Sequence, residues 1–330
     1  MTSDLLDRAL DLTVLPGYSR LGFALRGLQG DESRPAALED RVVLVTGGSS
    51  GLGEAACEGF AAAGARVHML VRNADRGESA VARIESRLPE ARGRIELELC
   101  DLANITSVRR FAETFQARCE PRLDLLVNNA GVLPPERTYN PDGVELTFAT
   151  NVLGPFLLTS LLLPALLSAA PARVITVSSG GMYTARLDAD DPQLERRNYD
   201  GPRFYAHAKR AQVALNSVWA AQFPAERIAF CAMHPGWVDT PGLRSSLPRF
   251  YKLMRPLLRD ANQGADTIVW LGTQPKLDPA TGGFWQDRAP RPEHRLPSTR
   301  ESAEERERFW RECELLSTAS LAQRSPVPIC

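Results

Sequence analysis

Val42-Val43-Leu44-Val45, running directly into Thr46-Gly47-Gly48-Ser49-Ser50-Gly51-Leu52-Gly53, constrains this chain more than any other stretch. Four apolar residues without alternation suit a strand covered on both faces, the habit of a parallel sheet. The glycines permit a tight turn, and the residues from Glu54 to Ala63 read as a helix. In that context Gly47, Ser49, Ser50, Gly51, Leu52 and Gly53 form a phosphate cradle. Small residues let backbone approach a ligand, and amides at a helix N-terminus can hold a pyrophosphate.

The remaining segments repeat the theme of a strand followed by a polar turn and a helix. A second strand, Arg66 to Val71, exits into Arg72. Dinucleotide sites that favour NAD place an acid there to accept from the ribose hydroxyls, whereas a basic residue suits a 2′-phosphate, so NADP(H) is expected over NAD(H). The third strand, Ile95 to Cys100, ends in Asp101-Leu102, where a carboxylate can accept from an adenine amino group or cap the helix around 104–117. The fourth, Leu123 to Val127, leads into Asn128-Asn129-Ala130-Gly131; small residues there leave room for a ribose, and the amides can tie neighbouring strands. A long helical region from Gly143 to Leu167 carries Asn151, an amide amid apolar residues that propensity alone does not favour. It can offset a kink near Pro155 or hold a water.

The fifth strand, Arg173 to Val177, delivers Ser178-Ser179 at its C-terminal end, where open α/β sheets build their sites. A charged loop over 186–200 reads as an exposed flap, and a helix follows from Arg203 to Ala221 behind Pro202. The sixth strand, Arg227 to Met233, ends in a Pro235-Gly236 bend, with Val238 and Thr240 placed to meet a nicotinamide amide. A helix over 263–271, a short strand over 282–286, a basic proline-rich exit from Arg288 to Pro297 and an amphipathic helix over 301–316 complete the pattern. The expected architecture is an α/β, Rossmann-type doubly wound parallel sheet of seven strands in the order 3-2-1-4-5-6-7. Residues 1–40 would be an N-terminal extension and linker, 41–287 the sheet domain and 288–330 a C-terminal extension.

Residues 1–40 are the least informative: Ser3 is placed to cap a helix carrying Leu5, Leu6, Ala9 and Leu10, ended by Pro16-Gly17, and read as a packing flap. Composition excludes several partners. Lys plus Arg number 39 and Asp plus Glu 40, giving a net charge of −1, which provides no field for nucleic acid or anionic membrane. Six cysteines without CxxC spacing read as reduced packing residues, and four scattered histidines suggest no metal. No secretory signal and no run of eighteen apolar residues is apparent, so the expectation is a cytoplasmic protein without an integral membrane segment, acting on a small molecule. Homo-oligomerisation is left open.

Tyr205 and Lys209, four residues apart, share one helix face. A phenol titrates near about 10, and a fixed ammonium beside it favours phenolate, making a usable acid/base; on spacing alone, an aromatic next to a solvated lysine is the commoner outcome. The combination decides. Thr46-Gly47-x-x-x-Gly51-x-Gly53, Asn128-Asn129-Ala130-Gly131, Asn151, Ser179, Tyr205-x-x-x-Lys209 and Pro235-Gly236 resemble the short-chain dehydrogenase/reductase family over residues 41–287. The resemblance implies carbonyl–alcohol chemistry, with Ser179 bonding the substrate oxygen, Tyr205 transferring the proton, Lys209 holding the nicotinamide ribose and Asn151 holding a water that links Lys209 to solvent. The interval between Ser179 and Tyr205 is similar to that of retinol-dehydrogenase-like members, and Ser178 is adjacent as the other serine. An apolar 241–260 segment favours a lipophilic substrate. The competing reading is a cofactor-binding sensor or scaffold with little catalysis.

Overall fold

The computed structural model describes Asp7, Leu10, Asp11 and residues 13–27, 37–118 and 121–322, the side chains of 319–322 excepted. The expectations for Ser3, Leu5, Leu6, Ala9 and the linker over 30–36 lie outside these residues, as do Cys119 and Cys330.

Among the described residues one sheet runs β3-β2-β1-β4-β5-β6-β7-β8. The strands are β1 (Val42–Thr46), β2 (Arg66–Val71), β3 (Ile95–Leu99), β4 (Leu125–Asn128), β5 (Ala172–Val177), β6 (Ile228–Met233), β7 (Phe284–Gln286) and β8 (Ala289–Arg291). Every pairing is parallel except β7 with β8. The helices are α1 (Val14–Tyr18), α2 (Arg20–Gly27), α3 (Gly51–Ala62), α4 (Ala74–Arg87), α5 (Ile105–Gln116), α6 (Leu146–Ser168), α7 (Gly201–Gln222), α8 (Pro241–Ser246), α9 (Pro248–Met254), α10 (Ala261–Thr273) and α11 (Ala303–Ala322). The unbroken apolar run in β1 now has its reason. Leu44 enters the core shared with α5, α6 and α7, whereas Val43 and Val45 enter the core shared with α3, α4 and α10. Both faces are covered, so alternation would leave polar atoms buried.

The seven-strand order continues by one strand because the chain reverses at Asp287 and Arg288, both left-handed at φ 50 and 61. Two positive φ values make a tight hairpin turn, and β8 returns antiparallel along β7. The stretch expected to be a basic exit thus begins as an edge strand, which tolerates Pro290. Asp287 is buried between two cations: burial pushes its carboxyl up, but hydrogen bonds from Arg259 and charge from Arg26 outweigh this and hold it below the usual range.

That carboxylate also secures the N-terminal segment. The Gly17 carbonyl accepts from Arg26 Nη1 at 2.9 Å, Arg259 Nη2 at 3.2 Å and Gln286 Nε2 at 2.8 Å. Pro16-Gly17 lies inside α1 rather than ending a helix, because its carbonyls are taken up by these side chains and by Ser19. The loop over 186–200 also departs from the exposed flap. Leu187, Ala189 and Leu194 are buried, His207 Nε2 accepts from the Asp188 amide at 3.0 Å, and Arg137 donates to the carbonyls of Leu194 and Arg197. The four described cysteines are buried and unpaired, with burial pushing their thiols up. On α11, Phe309 and Cys313 are buried against the domain and Leu316 packs beside them, as the amphipathic pattern requires.

Helix α6 is 23 residues long and contains an 18-residue window of mean hydropathy 1.7, long and apolar enough to cross a membrane, yet 72% of that window is buried inside the protein. Its first part contains a π-helical turn, Ala149–Leu153, ahead of Pro155. Removing one member of a buried ion pair strands the other charge, at about 3–5 kcal/mol. Asp287→Ala should therefore lower unfolding stability by that order in urea titration, whereas Asp278→Ala on the surface should change it little.

Candidate active site

The C-terminal ends of β1, β4, β5 and β6 converge where the strand order reverses between β1 and β4, the usual ligand crevice of such a sheet. At β1 the chain turns through Gly47 (φ +70) and Gly51 (φ +58), conformations that L side chains rarely adopt. A Cβ on Gly53 would stand 2.3 Å from the Gly47 carbonyl, so only glycine allows the turn to close. Ser50 is the N-cap of α3 but gives it no side-chain hydrogen bond, which leaves the first amides of a 12-residue helix facing the crevice for a ligand. Thr240 faces this turn across the crevice: a Cβ on Gly51 would be 3.2 Å from its methyl. Its hydroxyl accepts from the Leu243 amide at 3.1 Å, capping α8.

Other expected cofactor positions fall around the same crevice with different employments. Arg72 is exposed at the exit of β2 and has no hydrogen bond or ion pair among the described residues. Asp101 Oδ1 accepts from the Ala103 amide at 3.0 Å, while the cap of α5 is Asn104, accepting from Ser107 at 2.8 Å. Leu102 is buried in the core and packs its carbonyl side against Gly154. Asn128 is turned inward, donating to Thr159 Oγ1 at 3.0 Å. The strand tie comes from Asn129, whose Nδ2 donates to the Thr46 carbonyl at 2.8 Å, and Thr46 Oγ1 accepts from the amides of Asn129 (2.9 Å) and Ala130 (3.0 Å). The Pro235 carbonyl accepts from Arg259 at 3.1 Å; Gly236 (φ +76) and Val238 hold the bend, Val238 buried against Gly264.

Beside this crevice the two serines divide their work. Ser178 is buried and donates to the Lys209 carbonyl at 2.8 Å, locking α7 to the end of β5. Ser179 keeps its hydroxyl toward the site, beside Tyr205, and accepts from the Gly181 amide at 3.3 Å. Tyr205 presents its ring 5.4 Å from the Lys209 ammonium. Lys209 Nζ donates to the Val177 carbonyl at 2.7 Å and to Gln212 Oε1 at 3.1 Å. Asn151 is fully buried, its side chain exchanging two bonds with the Val132 backbone, at 2.8 and 3.0 Å. Gly131 lies over both: a Cβ there would be 3.4 Å from Asn151 Oδ1 and 3.6 Å from Lys209 Nζ.

Burial pushes Tyr205 up to about 12 against the pull of the Ser179 hydrogen bond, and burial pushes Lys209 down to about 7. A lysine half-deprotonated near neutrality is a weak source of positive potential, so burial decides the Tyr205 titration and the phenol keeps its proton at neutral pH.

Two participants carried no sequence signal. Gln212 reads as one more helix residue, and Tyr18 belongs to a segment without motifs. Yet the Tyr18 ring stacks edge-on with His234 (4.6 Å) and Trp237 (5.8 Å), and a Cβ on Gly180 would meet it at 2.4 Å. The N-terminal segment thereby walls the site behind Ser179. Two His/Glu groupings, His68 with Glu96 and Glu98, and His294 with Glu293 and Glu301, have metal-like spacing. Each is already bonded to arginine, Arg118 in the first and Arg210 with Arg306 in the second, which supplies the positive charge.

This crevice, a phosphate cradle beside a Ser, Tyr and Lys set at the end of β5, defines an NAD(P)-binding Rossmann-type oxidoreductase site. The chain belongs to the short-chain dehydrogenase/reductase family and acts between CH–OH and C=O. A family model described as short chain dehydrogenase matches residues 41–189. The chain is 45% identical over 264 residues to dehydrogenase/reductase SDR family member 12 of Bos taurus, covering 80% of this chain and 81% of that one. It is 34% identical over 252 residues to retinol dehydrogenase 12 of Homo sapiens, covering 76% and 78%. Among solved structures, the RhlG/NADP active-site complex of Pseudomonas aeruginosa superposes with a TM-score of 0.61 at 26% identity, covering 76% of this chain and 96% of that one.

The loop before α7 makes the site acid-sensitive. Burial pushes His207 down to about 4, and its Nε2 must stay unprotonated to accept from Asp188. An unfolded histidine titrates near about 6.5, so the unfolded chain binds the extra proton first and stability falls as pH drops from there toward 4. Thermal unfolding followed between pH 7.5 and 5 should show this loss, and His207→Gln should reduce it, the remainder coming from His234, which burial pushes down to about 3.

Proposed function

We propose that the protein interconverts a carbonyl and an alcohol on a small lipophilic substrate, with NADP(H) preferred and Tyr205 as the acid/base. The observation that carries the reading is the convergence of Ser179 and Tyr205 beside a buried Lys209, whose ammonium lies 5.4 Å from the Tyr205 ring. The residues fit the cofactor: unsatisfied amides at the start of α3 suit a pyrophosphate, and the glycine surfaces at Gly47, Gly51 and Gly131 leave room for backbone approach. When bound, the cofactor gives hydride to, or takes it from, the substrate carbon. In reduction, Ser179 donates a hydrogen bond to the carbonyl oxygen and Tyr205 delivers the proton as charge develops there. The alcohol oxidation is the reverse, with Tyr205 receiving that proton. Lys209, at the next turn of α7, is placed to bind the nicotinamide ribose. A free Arg72 at the exit of β2 supports the 2′-phosphate, and the relative crystallised with NADP is consistent with it.

The lipophilic preference rests on Leu243, Leu247 and Phe250, half-exposed on α8 and α9, with Phe250 packed on Trp237 at 5.3 Å. The name of the human relative, a retinol dehydrogenase, points to the same substrate class.

Tyr205→Phe should reduce kcat with NADPH over a panel of aldehydes and ketones by at least about a hundredfold while leaving NADPH binding intact. Equal activity would instead favour a sensor that binds cofactor without catalysis. Arg72→Asp should raise the KM for NADPH by about tenfold or more, and a wild type that prefers NADH would sink the phosphate assignment. Within the panel, apolar carbonyls should show higher kcat/KM than polar ones of equal size.

A further inference from the structure

We infer that Gln212 is a positioning residue of the reaction: its carboxamide spans from the Lys209 ammonium to the Asn151 main-chain carbonyl and fixes the lysine between β5 and α6. The inference rests on the reading of Tyr205 and Lys209 as the working pair.

The geometry leaves little freedom. Gln212 lies three residues beyond Lys209 on α7, on the same buried stripe, and is 4% exposed. Its Oε1 accepts from Lys209 Nζ at 3.1 Å and its Nε2 donates to the Asn151 carbonyl at 2.6 Å. The amide orientation is forced from both sides, since an ammonium can only donate and a carbonyl can only accept. The Asn151 carbonyl is open for this bond for a reason written in the sequence. Its helical donor would be the amide of residue 155, which is proline, and the π-helical turn Ala149–Leu153 accommodates the break. An interior carbonyl must find a partner, and Gln212 is the one α7 supplies.

The consequence for Lys209 is positional. With Val177 O and Gln212 Oε1 holding two of its protons, its third points away from both, on the side where Gly131 and the Tyr205 ring lie. At the lysine end, Gln212 sets a fixed amide between the ammonium and the Asn151 carbonyl. A carboxamide does not pass a proton on without becoming an imidic acid, so Gln212 holds the lysine instead of conducting for it. The groups facing the Lys209 ammonium are neutral: the Val177 carbonyl of β5, the Gln212 carboxamide, itself bonded to the Asn151 carbonyl of α6, and on α7 the Tyr205 phenol.

The chain has three lysines, Lys209, Lys252 and Lys276, so 13C-labelled lysine gives three resolvable titrations in the ligand-free protein. Gln212→Glu places a carboxylate against the ammonium and should raise the Lys209 titration by about one unit or more; Gln212→Met removes the acceptor and should lower it by a similar amount. The exposed Lys252 supplies an unshifted reference. In both variants kcat should fall at least about tenfold, with substrate KM changed far less, and the pH limb of kcat should move in the direction of the lysine titration. A purely structural glutamine would lower the melting temperature of both variants and leave the lysine titration and the pH limb where they were; that result overturns the inference. If Tyr205→Phe proves fully active while the Lys209 titrations still shift, the bridge stands and the reading of Tyr205 falls. If Tyr205→Phe is inactive and neither Gln212 variant shifts Lys209, the bridge falls alone.

Discussion

A single buried ammonium sets the terms for this structure. Lys209 is 2% exposed and is held by backbone and side-chain carbonyl groups, with no carboxylate among its hydrogen-bond partners in the described residues. Desolvation without a counter-charge pushes it down to about 7, and the charged form survives only as far as its acceptors are fixed. Each acceptor is anchored by a separate device. Val177 O lies at the last residue of β5, whose next residue, Ser178, clamps the Lys209 carbonyl. Gln212 is braced against a carbonyl that Pro155 cannot serve. A positive charge could be placed more cheaply at the surface, but there it would not be aimed; burial among neutral dipoles is what gives it a direction.

Much of this was readable in the sequence, because the strongest signals are those in which chemistry and backbone geometry coincide. The β1 run alternates between two cores and so had to be apolar throughout, and the glycines follow from closures at which a Cβ would collide with backbone. Tyr205 and Lys209 followed from helical spacing joined to the strand-end serines. What escaped the sequence shares one cause: it depends on partners supplied by other elements of the fold. β8 depends on left-handed φ at Asp287 and Arg288, two residues that carry no glycine signal; their turn is held by Arg259 and Arg26, the latter 261 residues distant. Likewise Asn129, not Asn128, ties β4 to β1, a choice made by which amide faces Thr46. The 186–200 loop looked solvated because its charges are local, but its backbone is gripped by Arg137 and His207 from other elements.

Glutamine 212 illustrates a different limit. Its role requires a carbonyl that is unsatisfied, and the lack of a donor at Pro155 is visible in the sequence only once Asn151 is known to face α7. The proline was legible as a kink; the orphaned acceptor was not, because hydrogen-bond accounting needs the neighbour that settles the account. The same holds for Tyr18, whose ring fills the space above Gly180.

The segments flanking the family core therefore belong to the site mechanically. Arg210, the residue after Lys209, is fully buried and donates to Glu301 Oε1 at 2.6 Å, to the Glu293 carbonyl at 2.6 Å and to Met182 Sδ at 3.2 Å. One guanidinium thus joins the lysine helix, the turn that follows Ser179 and the C-terminal segment. A second cluster, Arg259 with Asp287, joins the bend after β6 to the N-terminal segment that carries Tyr18. Buried ion pairs of this kind add little net stability over apolar packing, because desolvation offsets their attraction, but they tolerate few alternative arrangements. Their effect here is to fix which surfaces meet: the segment carrying Tyr18 and the segment beginning at β8 are also tied to each other, Arg291 to Asp7 and Arg295 to Asp11, so the wall behind Ser179 is set by residues that the sheet alone does not position.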